Sequence, residues 1–373
     1  MSMTLNGEYQ ALARKYRPQT FEDVVGQRHV LSALANAIDT KRVHHAYLLT
    51  GTRGIGKTTI ARIIAKSLEC EQGESSHPCG KCLACEGITN GTFPDVIEID
   101  AASQTKVDDT RQLLENTQYP PINGRYKIYI IDEVHMLSQS SFNALLKTLE
   151  EPPSYVKFIL ATTDPHKIPT TVISRCLQFQ LKALTVEEIE QQIVKITAAE
   201  GLQCESEGAL LIARAAKGSM RDALSLTDQA IALGRGAVRR EVVLSMLGTA
   251  GDNVIAEILQ SLLPGSELKL ADLLSRIASI APNYKGLIDE LTTAFHDLAL
   301  YQFIGGSRLN VFSLPLNLLE SFAPKFGPQQ LQLYYQICIE GLREFDYAPD
   351  GKSAFEMTLL RLHAFTPEKK KIG

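Results

Sequence analysis

Apolar residues follow two rhythms along this chain, and the change between them marks its organisation. Over residues 1–184, five short runs rich in Val, Ile and Leu stand at 46–50, 96–100, 128–132, 158–163 and 177–181. They lack polar alternation, as expected of strands in a parallel sheet covered on both faces. A helical pattern over Thr59 to Leu68 sets Ile60, Ile63, Ile64 and Leu68 on one face. Pro152-Pro153 and Pro165 punctuate the later loops. From about residue 185 no further strand is predicted. Thr185-Val186-Glu187-Glu188 reads as a helix N-cap with acids in the first turn. Residues 185–248 then form a small helical unit with breaks at Gly201, Gly218 and Gly234, and 249–373 a third, all-helical unit. In that last unit Leu287, Ile288, Leu291, Phe295 and Leu298 recur at helical spacing, as do Leu331, Tyr334, Tyr335 and Cys338. Such stripes read as core or subunit contact rather than a cofactor box.

Composition narrows the picture only a little. The 373 residues leave room for two or three domains, and the 45% hydrophobic and 21% charged content is ordinary for a soluble protein. A formal charge of −4 gives no global basic signature, so nucleic-acid contact would need a local patch. No apolar run reaches the roughly 20 residues of a membrane span. Residues 1–20 lack a signal-peptide core, and four of the seven cysteines cluster, so a reducing cytoplasm is expected.

Chemistry enters with Gly51-Thr52-Arg53-Gly54-Ile55-Gly56-Lys57-Thr58, which meets every position of the phosphate-binding loop G-x-x-x-x-G-K-[ST]. Its glycines let backbone N–H groups face a polyphosphate. Lys57 supplies a cation for the β- and γ-phosphates, and the Thr58 hydroxyl a ligand for Mg²⁺. A strand precedes the loop. A helix leaves it through Thr59 and adds its N-terminal dipole to the anion site. About eighty residues downstream, the apolar run 128–131 ends in Asp132-Glu133. Asp132 would hold Mg²⁺ and Glu133 would polarise the attacking water. An acidic turn alone would mean little, but paired with the loop it points to hydrolysis of ATP or GTP.

Cys70, Cys79, Cys82 and Cys85 lie within sixteen residues, in the pattern C-x8-C-x2-C-x2-C. Four thiolates suit a closed tetrahedral Zn²⁺ site in an insertion after the loop helix. An iron–sulfur cluster is the second reading, but no Cys-Pro follows and the fourth cysteine lies upstream. Cys176, Cys204 and Cys338 are isolated and read as core or near-core residues, and four thiols leave His77 no required role.

These motifs converge. Asp132-Glu133-Val134-His135, Ala161-Thr162-Thr163 closing a strand, and Ser174-Arg175-Cys176 resemble AAA+ ATPases of the clamp-loader clade. Leu12-Ala13-Arg14-Lys15-Tyr16-Arg17-Pro18 with Phe21-Glu22-Asp23-Val24-Val25-Gly26-Gln27 resembles that clade's N-terminal box. With the cysteine insertion, nearly the whole chain resembles the gamma/tau family of bacterial DNA polymerase III clamp-loader subunits. The resemblance ends near the end of that family's three-domain body, so a longer extension with helicase and polymerase contacts is expected to be missing.

The resemblance implies an α/β P-loop AAA+ core over 1–184, a helical lid over 185–248 and an all-helical oligomerisation collar over 249–373. It implies a DNA-replication ATPase that opens a sliding clamp and loads it on primer–template DNA. ATP, Mg²⁺ and Zn²⁺ would be its cofactors. Delta and delta-prime type subunits, further copies of itself, the clamp and DNA would be its partners, with no membrane. Thr163 falls at the sensor-1 position, Arg175 at the arginine-finger position acting on a neighbouring subunit, and Arg221 at the sensor-2 position acting in cis. Val24, Val25 and the Tyr16–Pro18 segment would wall the adenine pocket. For Thr105 and Lys106, after Ser103-Gln104, a DNA-phosphate contact and an ordinary capped helix fit equally. Two other functions compete. A silent zinc-bearing scaffold is disfavoured by Glu133, and a branch-migration or helicase motor by the absence of a basic recognition helix in 249–366.

Overall fold

The computed structural model describes residues 10–103, 116–247, 251–266, 269–280, 283–305 and 314–365. The chain divides into two compact units, Met1–Arg240 and Glu241–Gly373.

The first unit opens with α1 (Leu12–Lys15) and α2 (Arg28–Asp39), followed by β1 (Ala46–Thr50), α3 (Lys57–Glu69) and α4 (Leu83–Asn90). Then come β2 (Val96–Asp100), β3 (Lys127–Asp132), α5 (Gln139–Glu150), β4 (Val156–Thr162), α6 (Thr170–Ile173) and β5 (Leu177–Gln180). These five strands form one parallel sheet in the order β2-β3-β4-β1-β5. Alternate residues of each strand serve opposite faces. Tyr47, Leu49, Ile128, Ile130 and Ile159 join one core with Leu34 of α2 and Ile60 and Ile64 of α3. Ala46, Leu48, Tyr129, Ile131 and Leu160 join the other with Phe142 and Leu145 of α5. All of β1 and β4 is buried, which is why both are mostly apolar; Lys157 of β4 and the terminal Thr50 and Thr162 are the polar exceptions. The expectation of two-sided cover fails at the edges. β5 reads Leu-Gln-Phe-Gln and is mostly exposed, and β2 is only partly covered.

The unit continues through α7 (Val186–Ala199), β6 (Gln203–Cys204), α8 (Ser206–Ala215), α9 (Met220–Leu233) and β7 (Ala237–Val238). Thr185 caps α7 as the sequence predicts: its hydroxyl accepts from Glu188 N–H at 3.2 Å, and the Glu188 carboxylate accepts from Thr185 N–H at 3.0 Å. The strand signal does not stop at 185, because β6 and β7 pair in parallel. Two residues apiece are too short to leave a periodic trace. Helix α10 (Arg240–Leu247) follows.

The second unit is helical: α11 (Gly251–Ser261), α12 (Leu270–Ile280), α13 (Tyr284–Ile304), α14 (Leu316–Phe322), α15 (Pro328–Glu344) and α16 (Gly351–Ala364). Both expected stripes are core. Leu287, Ile288, Leu291, Phe295 and Leu298 of α13 meet Leu331, Tyr334 and Cys338 of α15, with Tyr335 half-buried beside them. The rings of Phe295 and Tyr334 meet at a tilt of 54°, with centroids 5.2 Å apart. A Cβ on Gly341 would stand 2.5 Å from the Thr358 hydroxyl, so a bare backbone is needed where α15 crosses α16. Among the described residues no helix is long and apolar enough to cross a membrane.

Candidate nucleotide site and cysteine cluster

The carboxyl ends of β1, β3 and β4 bring Thr50, Asp132 and Thr162 to one edge of the sheet. Ligands of open α/β sheets bind at this edge. From β1 the chain turns through Gly51, Gly54 and Gly56, with φ of +142°, +78° and +103°, into the first turn of α3. Gly54 is obligatory for a second reason. A Cβ there would lie 2.0 Å from the Ser219 hydroxyl, because the start of α9 packs on the loop. Arg221 N–H donates to the Gly54 carbonyl at 3.3 Å, tying that helix to the loop.

Lys57 is buried and folds back, donating to the carbonyls of Gly51 at 2.9 Å and Thr52 at 3.0 Å. Burial pushes its ammonium below the ordinary lysine value, while Glu133 and Asp132 oppose that shift. The Thr58 hydroxyl donates to the Asp132 carboxylate at 2.6 Å, joining two hard oxygen donors from α3 and β3. Such a pair fits Mg²⁺. Glu133 takes a left-handed backbone, φ +48°, a conformation costing an L-residue about 1–3 kcal/mol. Its carboxylate accepts from Thr163 through both N–H (3.1 Å) and hydroxyl (2.8 Å). His135 Nδ1 lies 3.4 Å from the same oxygen and 2.9 Å from the Thr162 hydroxyl. Thr163 and His135 therefore fix where the Glu133 carboxylate points.

Lys57, Thr58, Asp132 and Glu133 face a cleft of about 410 Å³. Val24, Val25, Leu184, Met220 and Leu224 give it an apolar wall, while Arg53, Lys57, Thr58, Thr59, Asp132, Glu133 and Arg221 give it charge and hydroxyls. Gly54, Ile55 and Gly56 line it too, and so do Tyr16, Arg17 and Pro18. Gly51 and Thr52 instead receive Lys57. Sequence reasoning gave no individual role to Arg17 or His135, although both lie inside segments it quoted. The box is held in place by Gln27, whose side chain both accepts from Lys182 N–H (3.0 Å) and donates to its carbonyl (2.6 Å).

Arg175 does not line this cleft. It donates to the Thr171 carbonyl at 2.7 Å and to Glu150 at 2.8 Å. It borders a separate hollow with His44, His45, Glu150 and Cys176. Thr105 and Lys106 lie outside the described residues.

The sulfurs of Cys70, Cys79, Cys82 and Cys85 lie within 4.8 Å of one another, and the cysteines form no disulfide. Gly73 (φ +120°) and Gly80 (φ +74°) make the tight turns that gather them. Cys82 caps α4 through Cys85 N–H. The Lys81 backbone N–H is the main cause that pulls the Cys79 thiol down to about 7, whereas burial pushes Cys85 up. His77 turns away to Glu22, 3.0 Å distant.

Comparison with known proteins bears on the same residues. Residues 26–185 match a family model described as DNA polymerase III, delta subunit. Residues 188–236 match the DNA polymerase III clamp loader subunit, ATPase lid domain, and 238–372 match DNA polymerase III subunits gamma and tau domain III. The chain is 52% identical over 359 residues to the DNA polymerase III subunit tau of Escherichia coli K12, covering 96% of this chain and 56% of that one. It is 44% identical over 357 residues to the subunit gamma of Buchnera aphidicola subsp. Baizongia pistaciae, covering 95% and 96%. It is 47% identical over 298 residues to the subunit tau of Bacillus subtilis, covering 80% and 53%. The chain thus spans little more than half the length of the tau relatives, but nearly all of a gamma relative. With a parallel-sheet α/β core, a lid segment and a helical C-terminal unit in the matching order, it belongs to the gamma/tau family of DNA polymerase III clamp-loader subunits.

Proposed function

We propose that this chain is an ATP-hydrolysing motor subunit that opens a ring-shaped sliding clamp and places it on primer–template DNA. The carrying observation is the Thr58–Asp132–Glu133 array facing a glycine loop on which Arg221 of the following segment rests. We assign residues 1–184 to the ATPase core, 185–248 to the lid and 249–373 to the collar.

In this reading the loop N–H groups and Lys57 hold the inner phosphates. Lys57 exchanges the Gly51 and Thr52 carbonyls for phosphate oxygens. Thr58 and Asp132 would hold Mg²⁺, which supplies charge neutralisation at the β- and γ-oxygens. Glu133 orients and polarises the attacking water, and Thr163 and His135 keep its carboxylate from swinging. Arg221 reaches the γ-phosphate in cis. Arg175 serves the site of an adjoining subunit, which agrees with its place outside its own cleft. Val24 and Val25 wall the adenine. Cys70, Cys79, Cys82 and Cys85 hold zinc as a structural cross-link, since four soft sulfur donors gathered together suit that role. Delta and delta-prime type subunits, further copies of this chain, the clamp and primed DNA are the partners, in a cytoplasmic setting that keeps the thiols reduced. Thr105 and Lys106 are assigned to DNA phosphates.

The test is ATP turnover by the assembled complex. Clamp and primed DNA together should raise it well above either alone, and the gain should fall with added salt as phosphate contacts weaken. Turnover indifferent to clamp and DNA, with duplex unwinding instead, would replace clamp loading by a helicase function.

A further inference from the structure

The segment ahead of the glycine loop is fastened to the lid. Leu12 N–H donates to Asp228 of α9 at 2.9 Å, and Tyr16 and Lys15 both reach Glu200 at the end of α7. Leu12 packs with Ile196 and Leu224 of the same two helices. Burial and the Glu200 hydrogen bond push the Tyr16 phenol up to about 12, so it remains a donor. The next residue but two is tied to the core instead: Gln19 donates to the Arg17 carbonyl at 2.9 Å and accepts from buried Lys66 at 2.8 Å. Arg17 therefore sits where the chain passes from lid to core, with its backbone held on both sides.

Its guanidinium is treated differently from its backbone. It lines the cleft beside Asp132 and Arg221. Among the described residues it makes no hydrogen bond and no ion pair. The acids near it are already engaged. Glu98 is bound in bidentate fashion by Arg62 at 2.7 and 2.9 Å, and Asp132 receives Thr58. Burial, then Arg62, lowers the hold of Arg17 on its proton, Glu98 acts against that, Arg221 adds to it and Asp132 opposes it. A partly desolvated guanidinium beside two others is unfavourable unless an anion arrives. Arginine's planar fork suits phosphate oxygens in particular.

We propose that Arg17 is a γ-phosphate-binding residue of this cleft, carried on a lid-anchored segment, so that ATP but not ADP ties the lid to the core. This rests on the nucleotide reading above. The inner phosphates have the loop N–H groups and Lys57. Of the charged neighbours of Arg17, Arg62 and Glu98 are engaged with each other, which leaves Asp132 and Arg221 of the cleft, the groups assigned to the metal and the γ-phosphate. This places Arg17 at the phosphates rather than on the adenine wall.

The experiment is calorimetric titration of the full chain with ATPγS and with ADP, both with Mg²⁺. Losing one charge-assisted hydrogen bond corresponds to about ten- to a hundredfold in affinity. Arg17→Ala should weaken ATPγS by that factor and ADP by less than about threefold, with Arg17→Lys between. Should Arg17→Ala melt earlier than the parent without nucleotide, the same ratio is read on Arg17→Gln, which keeps most of the stem. Equal losses for the two nucleotides, or none, would overturn the assignment while leaving the nucleotide site standing. A parent chain that bound neither nucleotide would overturn both.

Discussion

Two regions on either side of β1 handle positive charge in opposite ways. Beyond the carboxyl end of the strand, the cleft gathers Arg17, Arg53 and Arg221, whose guanidinium groups have no ion pair among the described residues. Before its amino end, beside His44 and His45, Arg175 is already bound to Glu150 and to a backbone carbonyl. Unpaired cations in a half-buried cleft are tolerable where the ligand itself brings the anions. A cation that must wait on an exposed edge is better held by a weak partner that it can leave. The Arg175–Glu150 pair suits waiting, since Glu150 is exposed and Arg175 about a third exposed, and surface pairs are worth only about 0.2–1 kcal/mol. In the proposed reading, the difference separates a site for substrate from a group kept for another site.

The comparison breaks first if the cleft does not bind nucleotide. Lys57→Ala should abolish ATP binding, because Lys57 is the cation held at the Gly51 and Thr52 carbonyls behind the loop. Glu133→Gln should keep binding and lose about 10²–10⁴ in turnover, as expected for a positioned proton acceptor. Equal turnover in Glu133→Gln and the parent chain would remove Glu133 from the chemistry. A filter-binding assay with a parallel phosphate-release assay separates the two variants.

The cysteine cluster supplies a control that should disturb neither region directly. Metal analysis of freshly purified protein should find close to one zinc per chain. Cys82→Ser should lower zinc content and the melting temperature, because metal binding is coupled to folding. ATP affinity of the chain that remains folded should stay within about threefold of the parent. Iron with visible absorbance, or no metal, would contradict the zinc assignment.

A smaller effect is expected at the other edge. Glu150→Ala should change stability by no more than about 1 kcal/mol, since it removes a surface ion pair. Denaturant melts would show it. A loss of several kcal/mol would mean that Arg175 is a structural residue here rather than one held in waiting.

The strong local signals of this chain were legible and the relational ones were not. β1 and β4 announced themselves because burial on both faces leaves few polar positions, Lys157 being the exception inside a strand. The loop glycines and Asp132 announced themselves because their spacing matches a known phosphate-binding pattern. Edge strand β5 was read as covered although its Leu-Gln-Phe-Gln alternates, and β6 and β7 were too short to show. Arg17 and His135 illustrate a different limit. Each lies in a segment quoted for its resemblance, yet what distinguishes them is a guanidinium with no hydrogen bond or ion pair among the described residues in one case and proximity to Glu133 in the other. Neither property is written along the chain. Likewise the need for glycine at position 54 arises from Ser219, far away in sequence.

The central claim is that hydrolysis needs a cleft from one chain and Arg175 from another, and one measurement bears on it most directly. Complexes are assembled from Arg175→Ala chains alone, from Lys57→Ala chains alone, and from an equal mixture, and ATP turnover is measured with clamp and primed DNA present. The account predicts that each pure assembly is depressed, Arg175→Ala by up to the roughly 10³–10⁵ that such a group can supply. The mixture should recover measurable activity, because some interfaces pair an intact cleft with an intact Arg175. No recovery in mixtures whose assembly has been verified would contradict it.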